Sequence, residues 1–283
     1  MIERINWWRA AAWLLGCGLA GAAQAASVGM VLDARQARLA DAQGRQEALD
    51  IATPLEPGQR IVLPAGGEVS LVFYPTRELL SASGPGTVVI EAGQARASAG
   101  ARLQARKLPQ DTVAGASGYN PRVTPAALVM KNVLGTPPLA IVSPREGEVV
   151  LEQTPELLWQ GGAPGQAVRV RLLDGASLLL ETHAGDGRLR VPALLALARG
   201  RAYRWELQAQ DGRERAVSFT LASAQEQQRL DGLRPAADAP AAEWALYAAA
   251  AEAAHCHAEA RAAWQQVARL RPESARAREL AQP

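Results

Sequence analysis

The sequence predicts a mainly β protein, with two all-β units in succession closed by an α-helical hairpin. Three observations lead there. Short segments of alternating apolar and polar residues fill residues 26–103 and return over 139–222, the period of a half-buried strand. Glycine, proline and Asp-Gly pairs interrupt them where turns are needed. From residue 223 the spacing of apolar residues lengthens and alanine dominates, as in packed helices. A chain of 283 residues has room for two or three such units, each burying its own core.

Residues 1–25 read as a secretory signal peptide. "MIERINWWR" is a short, positively biased start, "AAAWLLGCGLAG" is apolar over signal-peptide length, and "AAQA" brings small residues at Ala23 and Ala25. The apolar run is shorter than the roughly 20 residues that span a bilayer. No later stretch approaches that length, so no transmembrane segment is expected in the mature chain. The expected location is the periplasm, and "LLGC" offers the alternative of a lipoprotein processed at Cys17. Otherwise Cys256 remains as the single thiol of the exported chain, which leaves no intrachain disulfide to form.

Charge excludes a partner class. The formal net charge is +2, and loss of Glu3, Arg4 and Arg9 with the leader leaves about +1. Lys107 and Lys131 are the only lysines among 30 basic residues, and the arginines are scattered. Such a surface does not predict nucleic-acid binding.

In the first β unit, "EVSLVFY" sets Val69, Leu71 and Phe73 on one strand face and Ser70, Val72 and Tyr74 on the other. "LPAGG" before it predicts a tight hairpin through Gly66 and Gly67. "SGPG" breaks the chain ahead of the strand "TVVIE". The stretch "LEPGQRIVLPAGGEVSLVFY" resembles the core motif of the FecR-like β domain, over residues 28–100. "YPTRE", residues 74–78, departs from the Asp-Gly-Ser turn of many members. The cytoplasmic regulatory segment and membrane helix of the best-known members are not seen ahead of it. The resemblance therefore implies only the periplasmic domain type, with a role in signal relay beside a membrane receptor or sensor.

Residues 104–138 mix proline and glycine without a period and read as a linker. A short helix is expected within it, capped by Thr124 with Pro125 at its first position and ending near Gly135. Seven strand-like runs follow, "LAIVSP", "PELLWQ", "VRVRLL", "SLLLET", "RLRVPA", "YRWELQA" and "AVSFTLA". Asp174-Gly175, Asp186-Gly187 and Asp211-Gly212 predict hairpins between them. That strand number suits an immunoglobulin-like sandwich. The spacing from Leu197 through Gly200, Tyr203, Trp205 and Leu207 to Ala209 is similar to a fibronectin type III strand. It implies a structural corner in which the Tyr203 hydroxyl bonds back to the upstream backbone. Trp205 then points inward to meet Trp159.

The final segment opens with "SAQE", a capping box of Ser223 and Glu226. "EWALYAAAAEAAHCHAEARAAWQQVARLRPES" resembles one tetratricopeptide repeat, with Trp244, Ala248, Ala260, Trp264 and Pro272 at its aromatic, small and terminating positions. A single repeat must cover its apolar side with a neighbour. Trp244, Tyr247 and Trp264 are accordingly the expected protein-binding surface, with packing on the sandwich as the alternative.

No motif carries a reaction. His255-Cys256-His257 contains zinc-binding residue types, but consecutive helical residues diverge, so it reads as an inter-helix turn with Cys256 packed as an apolar residue. His183 reads as a surface histidine. No G-x-S-x-G elbow occurs, and "GGAPG" and "SGPG" lack the lysine of a phosphate loop. Glu146, Glu148 and Glu152 read as a solvated loop face. Neither a catalytic set, a metal site nor a cofactor is therefore expected. The sequence reading is an exported adaptor that recognises an envelope protein. A peptidoglycan- or polysaccharide-binding module is the alternative, with Tyr74 and Tyr119 as its spare aromatic platforms.

Overall fold

The computed structural model describes residues 26–41, 43–109, 117, 138–161 and 166–282. The expected signal peptide, Cys17, Tyr119 and the expected linker helix lie outside them.

Alternation in the first unit yields ten strands. They are β1 (Gly29–Arg35), β2 (Arg38–Ala40), β3 (Gln46–Ala48), β4 (Pro54–Leu55), β5 (Arg60–Leu63), β6 (Glu68–Phe73), β7 (Glu78–Ser83), β8 (Gly86–Ile90), β9 (Ala95–Ser98) and β10 (Arg102–Lys107). They form two antiparallel sheets ordered β10-β7-β6-β1-β4 and β3-β2-β5-β8-β9. Val31, Ile61, Leu71, Phe73, Val88 and Ile90 fill the space between the sheets. The Gly66-Gly67 turn is not a hairpin, since β5 and β6 lie in different sheets and the turn carries the chain across the sandwich. Gly84 sits at another crossing, between β7 and β8, where an added Cβ would lie 2.2 Å from the Pro64 carbonyl oxygen. The boundary expected at residue 103 falls inside β10, which pairs with β7 through Lys107.

The second unit has eight strands rather than seven. They are β11 (Ala140–Ser143), β12 (Glu148–Val150), β13 (Glu156–Gln160), β14 (Val168–Asp174), β15 (Ser177–Ala184), β16 (Arg188–Arg190), β17 (Ala202–Gln208) and β18 (Glu214–Leu221). Sheets β11-β13-β16 and β12-β18-β17-β14-β15 make the sandwich. The additional strand, β12, comes from the stretch read as an acidic loop and runs parallel to β18. Asp211-Gly212 turns a hairpin from β17 to β18, with Gly212 at φ 84°. At the β14–β15 hairpin the central residues are Gly175 and Ala176, because Asp174 already pairs with Ser177. Asp186-Gly187 instead joins strands of different sheets.

Tyr203, Trp205, Leu207 and Ala209 are buried while Arg204, Glu206 and Gln208 face outward. The Tyr203 hydroxyl accepts from the Ala198 N–H at 2.8 Å and donates to the Ala198 carbonyl at 3.2 Å. The Trp159 ring meets Trp205 across the sandwich at 6.3 Å between centroids.

Four helices follow, α1 (Ala224–Asp231), α2 (Ala241–Ala253), α3 (His257–Leu270) and α4 (Ala275–Leu280). Both bonds of the Ser223–Glu226 capping box form at the start of α1. The hydrogen bond from Ser223 also holds the Glu226 carboxyl below the usual range. Alanines at 245, 248, 249, 260 and 263 are fully buried, which lets α2 and α3 approach closely.

One apolar cluster joins all three parts. It combines Met30, Leu32, Ile51, Val72 and Leu79 of the first unit with Leu151 and Ala222 of the sandwich and with Leu246, Tyr247, Trp264 and Val267 of the helices. The sheet carrying β1 and β6 is therefore covered on both faces. Each fully buried side chain of this size contributes roughly 1.5–3 kcal/mol relative to exposure. Polar ties surround the cluster. Arg271 grips Asp33 with Nε–Oδ1 at 2.7 Å and Nη2–Oδ2 at 2.5 Å, and Ser274 donates to Asp50 at 2.6 Å.

Candidate functional site

The expected binding aromatics belong to this joint. Trp264 and Tyr247 are 0% and 1% exposed, and Trp244 packs partly buried against them. They are therefore not an accessible surface. The outer face of the first β unit, which lies far earlier in the chain, covers them, together with Leu151 and Ala222 of the sandwich. The Tyr247 hydroxyl donates to Glu259 at 3.1 Å, and burial beside that carboxylate pushes its pKa well up.

The remaining sequence candidates resolve in the same way. His255 occupies the turn between α2 and α3, and Cys256 is buried with its thiol pushed up to about 12, first by burial and then by nearby glutamates. Such a thiol is unreactive. His257 Nδ1 lies 2.9 Å from Glu252, a contact that raises its pKa. His183 stands exposed on β15. Among the described residues no group of three or more His, Cys, Asp or Glu side chains is arranged to hold a metal ion.

Glu148 corrects the solvated-loop reading, being 2% exposed. Its Oε2 accepts from the Arg145 N–H at 2.7 Å and its Oε1 from the Ala258 N–H, in the first turn of α3, at 3.0 Å. A carboxylate there satisfies a free helix N–H and complements the helix dipole. Glu146 accepts from the Ser218 N–H, and Glu152 lies exposed beside Arg190 at 3.4 Å. Tyr74 is half-buried against the helical core, which removes it as a flat platform for sugars.

The feature with unused chemistry lies on the solvent face of the sheet formed by β14, β17 and β18. A groove of about 220 Å³ is lined by Arg169, Arg171, Arg204, Glu206, Leu207, Gln208, Glu214, Arg215 and Ala216. Cross-strand register builds it. Arg169 lies opposite Gln208, and Arg171 lies opposite Glu206 and Glu181. Arg171 is bridged at 3.2 Å to each of these glutamates, and Arg204 reaches Glu206 at 3.0 Å. Gln208 donates to Glu214 at 2.5 Å, and Arg215 donates to the Glu214 carbonyl at 2.7 Å. Arg169 differs from these in its lack of an ion pair among the described residues: its Nε and that of Arg171 are both shielded from solvent without a hydrogen bond, but Arg171 has two glutamates beside it and the half-buried Arg169 has none. Four arginines against two glutamates give the lining a net positive charge of two. The outward polar positions of β14 and β17 signalled a wet face in the sequence. Nothing in the chain order shows that their arginines converge.

No family model matches the chain, and no curated protein matches it. Part of the chain is similar to CopC from Methylosinus trichosporium OB3b, whose crystal structure aligns at 24% identity over 30% of this chain and 95% of that one, with a TM-score of 0.22. Among the described residues no helix is long and apolar enough to cross a membrane.

Proposed function

We propose that this chain is an exported, non-enzymatic adaptor of the bacterial envelope, acting in the periplasm by recognising a protein partner such as a membrane sensor or receptor. The observation that carries the reading is the arginine groove, displayed to solvent by a sandwich whose aromatics are buried in its core. Recognition needs a shaped, charged surface on a rigid support rather than a reactive group. The single apolar cluster that ties the helices to both β units supplies that support. The export signal and the resemblance of residues 28–100 to FecR-like domains favour an envelope partner. Among the described residues no aromatic side chain lines the groove to stack on a sugar ring, which favours protein over glycan.

The test is in-cell crosslinking of the tagged full chain, with purified peptidoglycan in a parallel sedimentation assay. A reproducible envelope protein crosslinked to the sandwich is expected. Pelleting with peptidoglycan and no crosslinked protein overturns the reading in favour of a glycan-binding module.

A further inference from the structure

Arg169 is the group in the groove with no assigned work. A guanidinium stays charged at every physiological pH and offers five donors in a planar fork. Shielding one of them without an acceptor costs free energy that a bound acceptor would recover. Its neighbours do not supply that acceptor. Glu206 is shared by Arg171 and Arg204, Glu181 is bridged to Arg171, and Glu214 takes a hydrogen bond from Gln208. The side chain opposite Arg169 on β17 is Gln208, whose amide nitrogen points to Glu214, and its β15 neighbour is His183. The adjacent Arg215, exposed on β18, adds a second guanidinium with no carboxylate partner among the described residues. Beside these positions the exposed Ala216 gives the groove a small apolar contact.

We infer that this groove receives a carboxylate side chain of a partner protein, with Arg169 as the principal contact and Arg215 as the second. The inference rests on the adaptor reading and gives that partner a chemistry, namely an acidic segment presented to the outer face of the sandwich. A carboxylate matches the guanidinium fork in two parallel hydrogen bonds.

The experiment titrates the full chain with a synthetic deca-glutamate peptide, a deca-glutamine peptide and oligogalacturonate, by fluorescence anisotropy at low and moderate salt. Binding of the glutamate peptide that weakens with salt is expected, with no binding of the glutamine peptide. Arg169→Gln is expected to weaken it tenfold or more without lowering Tm, because the lost guanidinium makes no ion pair among the described residues. Arg215→Gln, at an exposed position, is expected to weaken it less. Unchanged binding in both variants, no binding of the glutamate peptide, or binding of oligogalacturonate alone each overturns the inference. The adaptor reading is scored separately. If the crosslinked partner of the wild type is recovered equally by Arg169→Gln, the reading stands while this site falls.

Discussion

The bridge between Asp33 and Arg271 offers a direct measure of how firmly the helices hold the first β unit. Their side chains are only 14% and 12% exposed, and two charge-assisted hydrogen bonds join them. Removing one partner from such a buried pair leaves the other charge desolvated, which costs about 3 kcal/mol or somewhat more. Asp33→Ala and Arg271→Ala are each expected to lose about 3 kcal/mol of unfolding free energy. The double variant should lose little more than either single one, since both charges are then gone, giving a coupling energy of about 2 kcal/mol. Urea denaturation followed by tryptophan fluorescence measures this, and the limited exposure means that raised salt should leave most of the coupling in place. Additive losses, with coupling under about 0.5 kcal/mol, would refute the picture of a desolvated bridge closing the joint.

Tyr203→Phe removes a hydroxyl with two backbone bonds at the sandwich corner, and a loss of about 1–2 kcal/mol is expected in the same assay, kept modest by the exposure of Ala198. Glu148→Ala frees the Ala258 N–H at the start of α3 and should cost about 2 kcal/mol. His257 has its folded-state pKa raised by Glu252, so its contribution is fully present below the unfolded value of 6.5 and is lost as pH rises through the folded value. Stability curves should therefore show a step down above pH 6.5 that His257→Gln abolishes. In a Cys17→Ser background, Cys256 should resist a thiol reagent until the chain is denatured, as its burial and elevated pKa require.

Local features were legible because their causes are local. Alternating Tyr203, Trp205 and Leu207 place the sandwich face, Ser223 and Glu226 begin a helix through their own side chains, and Gly212 turns a hairpin by its positive φ. The turn glycines at 66 and 187 were legible as turns but not as crossings, since a dihedral preference does not state which sheet the next strand joins. Val72 and Tyr74 gave a similar partial signal. Alternation set them on the second face of a half-buried strand, with Tyr74 as a spare platform, and only the docked helices show that this face is covered.

The strands of the second sandwich other than β12, the two helices of the hairpin and the sandwich corner are thus written in the sequence by periods of two or three to four residues and by backbone preferences. Tertiary structure alone decided that the helical aromatics are core, that Glu148 caps α3, and that arginines from β14, β17 and β18 line one groove. Asp33 and Arg271 stand 238 residues apart in the chain, and contacts at such separation are set by how surfaces dock rather than by any neighbour along the backbone.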